Sequence, residues 1–359
     1  PVNNWVGYQK LANRPYGIFQ QPNVAASFLT TGIALALYLL TQLETNNNKS
    51  RIFYYLTTSL ATIPVILLQS RTGYLSLAFA PLLLLPWVYS QLKTKQQTKA
   101  LFIWCALYIF GVIVGLYTLD SVDKVARSAA ALTDPGARIP IYLHSWHMFL
   151  EKPLIGWGYG GFEANYLRTY SIALQQGLAL PGSPENLDHP HNELLYWGIE
   201  GGFVALAGIG LLIIGFIKIL VTRPLLHAVA LIGLLLPMLL HSQTEYPFYH
   251  STVHWCVFLV LVWYIDNQHD TQTAVNFSYS FLLRSLALLI PIVSRHLKMT
   301  LSEVYFYMII IIYQLFSLVI ITFTEDLKKT KYYKRYLKIT FLIGFLGILM
   351  ELLNWNYFC

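Results

Sequence analysis

Long apolar runs recur along this chain and leave little room for a soluble fold. Runs such as 24–41, 100–119 and 302–323 hold at most one charged residue each. At about 1.5 Å of rise per residue, helices over such runs match the roughly 30 Å hydrocarbon core of a bilayer. Only 11% of the 359 residues are charged, against about 25% in soluble domains. A spanning segment must satisfy its backbone polar groups internally, so the runs predict helices. The expected fold is an all-α polytopic membrane protein with about ten transmembrane helices: 24–41, 52–68, 73–90, 100–119, 195–217, 225–241, 251–265, 278–293, 302–323 and 338–354.

The connectors suggest an orientation. Lys49 and Arg51, then Lys93, Lys95 and Lys99, then Lys218 and Arg223 sit in alternate short connectors, as positive-inside membrane flanks do. The +7 net charge is therefore a membrane signature, and no nucleic-acid partner is expected. The same alternation places segment 1–23, the turn around Arg71, the long loop 120–194 and connector 241–250 together on the extracytoplasmic side. Every unusual polar group falls in those four regions, which predicts one extracytoplasmic site. Connector 294–300 breaks the rule with Arg295, His296 and Lys298. From there the chain turns rich in Lys, Tyr and Ile, so 295–359 reads either as a separate tail or as ordinary helices with loose topology. The domain reading is 1–294, with extracytoplasmic loop 120–194, followed by tail 295–359. The chain opens on Pro1 with no signal segment, and reads as the latter part of something longer. Cys105, Cys256 and Cys359 form neither a disulfide framework nor a metal set.

Apolar helices are explained by lipid; loop 120–194 is not. It ends in His189-Pro190-His191-Asn192-Glu193. Asp188 or Asn192 suits the cap of the helix that follows, and Glu193 suits its positive end. Two histidines exceed what capping requires. Histidine titrates near neutrality, so His191 is a candidate general base. Positions 189 and 191 share one side of an extended segment, so with His144 and His147 a zinc site is the weaker alternative. No H-E-x-x-H motif or cysteine pair accompanies them, and neither metal nor cofactor is expected.

Earlier in the loop, Ile139, Tyr142, Leu143, Trp146, Phe149 and Leu150 recur at helical spacing opposite His144, Ser145 and His147. This is either an interfacial anchor or the floor of a substrate pocket presenting Arg138. Four glycines between Pro153 and Phe162 suit a turn, or a backbone N–H cradle for an anion. Arg71, in Gln69-Ser70-Arg71-Thr72-Gly73, either snorkels to the interface or grips a phosphate. The loop holds 5 basic and 8 acidic residues, so a bound diphosphate would need specific arginines. Asn13 to Asn23 and His241 to Pro247 are polar caps or parts of the same site.

Taken together, Gly17-Ile18-Phe19-Gln20-Gln21-Pro22-Asn23, Ser70-Arg71-Thr72, Arg138 with the glycine turn, His189 to Glu193, and Glu245-Tyr246-Pro247 resemble the O-antigen ligase and polymerase superfamily. The first run is most similar to its PglL-type protein O-oligosaccharyltransferases. The resemblance covers about residues 1–294. It implies a GT-C-like membrane glycosyltransferase of the bacterial inner membrane, with its active site facing the periplasm. The implied donor is an undecaprenyl-diphosphate-linked oligosaccharide. The acceptor is a pilin or other periplasmic protein, or lipid A-core in the WaaL branch. His191, Gln21 and Tyr246 match catalytic positions, Arg71 and Arg138 match diphosphate-gripping arginines, and His189, Asn192, Glu193 and Glu245 are supporting candidates. The resemblance implies further spans before Gln21 and, for PglL proteins, a periplasmic domain after the last family-type span; against it the chain reads as a fragment or as carrying an altered C-terminus. Alternatives are a glycan polymerase and a lipid-linked glycan transporter. A transporter would place ionisable groups inside the spans, and the spans read as nearly free of them.

Overall fold

The computed structural model describes residues 19, 21–44, 47–121, 138–178 and 187–267. These lie in the first of two compact units, Pro1–Gln268. The expected spans 278–293, 302–323 and 338–354, the tail 295–359 and its boundary all fall outside the described residues, as does most of segment 1–20.

Every regular element among the described residues is helical. They are α1 (Pro22–Leu39), α2 (Asn48–Leu67), α3 (Arg71–Thr94), α4 (Thr98–Ser121), α5 (Arg138–Glu151), α6 (Phe162–Gln175), α7 (Glu193–Val221), α8 (Leu225–Ser242), α9 (Pro247–His250) and α10 (Thr252–Asn267). The helix starts are legible locally. Pro22 opens α1 behind an extended Gln21, where a missing N–H costs nothing. The side chains of Asn47, Ser70 and Asn192 accept hydrogen bonds from the N–H groups of Ser50, Gly73 and Leu195, capping α2, α3 and α7. Asn192, rather than Asp188, is thus the cap of α7.

Among the described residues, five helices are long and apolar enough to cross a membrane: α1 with its following turn, α3, α4, α7 and α8. The expected span 52–68 forms α2 but is not among them. α2 turns Thr58, Ser59 and Thr62 inward while exposing Ile52, Phe53, Leu56 and Leu60. The span 251–265 forms the shorter apolar helix α10.

α1 lies at the centre, packed against α2, α3 and α8, while α3 packs on α8 and α2 on α4. The α2–α4 contact depends on Gly111 and Gly115. A Cβ at Gly111 would sit 2.9 Å from the Thr62 Cβ, and one at Gly115 2.8 Å from that of Ile66. This is the small-residue spacing that lets membrane helices approach closely. The bundle core runs through Ile33, Leu37, Tyr38, Leu84, Trp87, Trp104 and Leu234.

The region read as loop 120–194 holds a small folded cap. α5 and α6 pack on α7 around Ile141, Met148, Phe149, Phe162, Tyr166, Tyr196 and Ile199. Of the apolar face read from the helical spacing, Ile139, Leu143, Trp146 and Leu150 form an exposed stripe on α5, whereas Phe149 is buried and His147 is exposed. Ser145, placed on the opposite face from sequence, is buried. His144 is held between α5 and α6 by Thr169, 2.9 Å away, and by the rings of Tyr166 and Tyr170.

α7 is broken at Gly202, where φ is +62°. The Pro153–Phe162 turn docks on that break. Trp157 and Gly158 donate to the carbonyls of Ile199 and Glu200, and Phe203 and Val204 donate to those of Pro153 and Leu154. A Cβ at Gly202 would lie 2.4 Å from the Leu154 carbonyl, so glycine is required there. The break leaves 203–221, 19 residues or roughly 28 Å of helix, as the membrane-length part of α7.

Candidate functional site

The site forms where the starts of α1, α3, α5 and α7 meet the end of α8. Glu245, three residues beyond α8, is its hub. The Glu245 Oε2 lies 2.8 Å from His191 Nδ1 and 3.2 Å from His189 Nε2. Its Oε1 receives longer contacts of 3.4 Å from Asn23 Nδ2 and Arg138. The Glu245 side chain is only 10% exposed. Burial pushes its carboxyl up, but hydrogen bonds from His189 and His191, and the charge of those rings when protonated, outweigh burial. The pKa falls well below the ordinary carboxylate range. An ionised carboxylate only accepts, so both imidazoles present N–H to it. That fixes the His191 tautomer, with Nδ1 carrying the hydrogen and Nε2 left as the free lone pair of the neutral ring.

His191 itself has φ +53°, the left-handed region that non-glycine residues seldom occupy. The strained turn is held from both sides. Tyr142 donates to the His191 carbonyl at 3.0 Å, and Asn192 donates to the Gln243 carbonyl at 3.2 Å. The cap is thereby fastened to the end of α8 across the histidine.

A second carboxylate lies behind His189. Asp188 Oδ1 is 2.6 Å from His189 Nδ1, and Tyr246 donates its hydroxyl to Asp188 Oδ2 at 2.8 Å. The Tyr246 ring covers His189 with centroids 3.5 Å apart. Burial raises the Asp188 carboxyl, but the bonds from Tyr246 and His189 outweigh it and lower the pKa. His189, 6% exposed, is thus clamped between a buried carboxylate and one that is 64% exposed.

The remaining residues fall around this core. Ser70 donates to Asn23 Oδ1 at 2.8 Å while capping α3, and Thr72 pairs with Thr244 at 2.8 Å. Arg71 therefore opens α3 beside the string Ser70–Asn23–Glu245 and is half-buried. Gln21 stands at the start of α1, its Oε1 buried with no hydrogen-bond partner among the described residues. Glu193 stands apart from the Glu245 cluster, buried and bonded by the indole N–H of Trp197.

Three arrangements that the sequence reading did not anticipate matter here. Glu200, 1% exposed, takes the N–H groups of Gly160 and Phe162 on one oxygen. The backbone N–H groups of the glycine turn thus face a carboxyl group of the protein itself. Ser27 joins His241 and His254 at 2.7 and 2.9 Å, one helical turn below Asn23. His227 pairs with Tyr38. The spans thus carry more ionisable groups than their apolar composition suggested, each engaged by the protein itself.

Comparison with known families gives three matches in chain order. Residues 15–40 match a protein glycosylation ligase family, 56–210 an O-antigen ligase family, and 229–340 the C-terminal part of a virulence-factor membrane-bound polymerase family. Together the three matches support the superfamily of O-antigen ligases and PglL-like glycosylation ligases. Among curated proteins, none matches it. The superfamily's three segments each supply part of the cluster. Asn23 comes from the first, Arg138 and Asp188 to Asn192 from the second, Glu245 and Tyr246 from the third. The two family names shared with ligases indicate glycosyl transfer of the O-antigen ligase or protein glycosylation ligase type in a multi-pass membrane protein.

Proposed function

We propose that this chain transfers an oligosaccharide from an undecaprenyl-diphosphate carrier to a serine or threonine hydroxyl of a periplasmic protein such as pilin. The observation that carries the reading is the His191–Glu245 pair, with Arg138 on the same carboxylate and Arg71 at the start of α3. The opposite end of the bundle gathers Arg51, which bonds Gln97, and Lys95, which bonds the Thr41 carbonyl. That asymmetry supports a cytoplasmic basic end and a periplasmic site in the bacterial inner membrane. The match at 15–40 favours a protein acceptor.

In this mechanism the acceptor hydroxyl gives its proton to His191 Nε2 as its oxygen attacks the anomeric carbon. Glu245 steadies the imidazolium that results. The bond from the anomeric carbon to the diphosphate oxygen breaks, and its electron pair leaves on the undecaprenyl diphosphate. Arg71 and Arg138 stabilise that growing charge, a contribution of roughly 100–1,000-fold in rate for one such group. Gln21, with a buried acceptor oxygen, and Tyr246 position the sugar or the acceptor. Asn192 and His189 hold the histidine turn in place, and Glu193, bonded to Trp197, supports the first turn of α7.

The test uses the chain reconstituted in membranes with undecaprenyl-diphosphate-linked glycan and a pilin, read by the intact mass of the pilin. A glycan increment from wild type that His191→Ala abolishes is expected. An increment that survives in His191→Ala removes the base from the mechanism. The match at 229–340 favours a second reading, in which another glycan is the acceptor and the same chemistry makes a polymer. Lengthened carrier-linked glycan with unmodified pilin would select it.

A further inference from the structure

The same three groups that form the base pair are spaced to hold a metal ion. We propose that His189, His191 and Glu245 form an inhibitory site for a borderline transition-metal dication such as Zn²⁺. Their nearest ligand atoms, two imidazole nitrogens and one carboxylate oxygen, all lie within 4.8 Å of one another. The carboxylate oxygen is 2.8 and 3.2 Å from the two nitrogens. Bonds of roughly 2.0–2.2 Å in a tetrahedral site put ligand atoms about 3.3 Å apart. To exchange the shared hydrogens for a metal, the two oxygen–nitrogen distances open by up to about half an ångström, while the two imidazole nitrogens, within 4.8 Å of each other, draw together.

The surroundings suit the role. Metal-bound histidines ordinarily give their other N–H to a carboxylate, which fixes the tautomer and strengthens the ligand. His189 has that partner in Asp188, 2.6 Å from its Nδ1, and Asp188 is itself braced by the Tyr246 hydroxyl. Two imidazoles and one carboxylate favour Zn²⁺ or Co²⁺, whereas Mg²⁺ and Ca²⁺ prefer oxygen alone. His191 is 26% exposed, leaving a side from which an ion and its fourth ligand, a water, can enter.

The inhibition follows from the tautomer. As a base, His191 keeps hydrogen on Nδ1 and a lone pair on Nε2. A metal on Nδ1 takes that nitrogen's lone pair and moves the hydrogen to Nε2, which then donates and can no longer accept. Metal and catalytic proton therefore exclude each other. The inhibitory consequence rests on the transferase reading above; the binding of the cation does not.

The test takes the full chain in nanodiscs, stripped with a chelator, and titrates Co²⁺ while following its visible absorption. Transfer to pilin is measured in parallel. One saturable Co²⁺ per chain is expected, displaced by Zn²⁺, with affinity about 10–100-fold weaker in Asp188→Asn and lost in His189→Ala. Transfer should fall as the site fills and return when chelator is added. The proposal is overturned by the absence of a saturable band, by equal affinity in wild type and both variants, or by undiminished transfer with the site full. A metal-free chain that transfers nothing under any condition would overturn the transferase reading instead, and the Co²⁺ titration would still decide the site.

Discussion

Replacing Glu245 by glutamine keeps the side chain's size and removes its charge, and the structure sets how damaging that is. All four neighbours of the carboxylate offer hydrogens: His191 Nδ1 and His189 Nε2 to one oxygen, Asn23 and Arg138 to the other. An amide has one accepting end and one donating end. In either orientation its NH₂ group faces two donors, so two of the four contacts become repulsive. If the NH₂ faces the imidazoles, His191 takes the other tautomer and loses its free lone pair at Nε2. Weakening two charge-assisted bonds to neutral ones removes about 1–1.5 kcal/mol each, or roughly 30–150-fold in rate if both are fully used in the transition state. The tautomer change raises the ceiling, since the equivalent carboxylate-to-amide change in a serine protease triad costs about 10⁴-fold. We expect Glu245→Gln to lower kcat for pilin glycosylation by about 30- to 10⁴-fold, with helical circular dichroism unchanged. A variant within threefold of wild type at saturating donor would refute the claim that this carboxylate orients a base.

Three further outcomes follow from the geometry. The lowered pKa values of Glu245 and Asp188 mean that the folded state binds fewer protons than the unfolded one. Their stabilisation is full above the unfolded carboxylate range, about 4, and is lost as pH falls through the lower folded values. Burial likewise lowers the pKa of His144, with the backbone of Tyr166 opposing, so its contribution begins to fade below about pH 6.5. Melting temperature followed from pH 7 to 3 should drop in these two steps, and Glu245→Gln should flatten the lower one. Glu200→Ala leaves the N–H groups of Gly160 and Phe162 without their acceptor, at about 1–3 kcal/mol each; limited proteolysis should then cut within 152–162. Gly202→Ala combines a φ of +62° with a carbonyl carbon 2.4 Å from the new methyl. It should prevent the cap from docking and abolish transfer, measured against Gly208→Ala, where a Cβ meets nothing within 4 Å.

The residues of the cluster were legible because they are out of place in lipid-facing sequence: His189 and His191, Arg71, Arg138 and Glu245 all stand beside apolar runs. Their pairing was not legible, because Asn23 and Glu245 are 222 positions apart and no local pattern encodes such a contact. Asp188 looked like a helix cap. Its bond to Tyr246 depends on how the end of α8 meets the cap, which sequence spacing leaves open. Glu200 did carry a signal, a lone acid followed by Gly201-Gly202 within an apolar run. Its partner, the Pro153–Phe162 turn, was read for glycine flexibility and an external anion rather than for the acid that would satisfy it. The cap itself was half visible, since α5 follows from its apolar spacing. α6 does not, because Phe162–Gln175 mixes Glu163, Arg168 and Gln175 with apolar residues and forms its buried side from only Phe162, Tyr166 and Thr169.

The 222 positions between Asn23 and Glu245 also place the site in time. At about 5–20 residues per second, a ribosome needs roughly 10–45 s to travel from one to the other. Through that interval the helix starts that carry Arg71 and Arg138 can already be in the membrane while the carboxylate that sets the histidine has yet to be made. The cluster closes only after α8 has been made and its end has folded back onto the cap, so the order of synthesis delays the proposed transfer until every residue assigned to it is present.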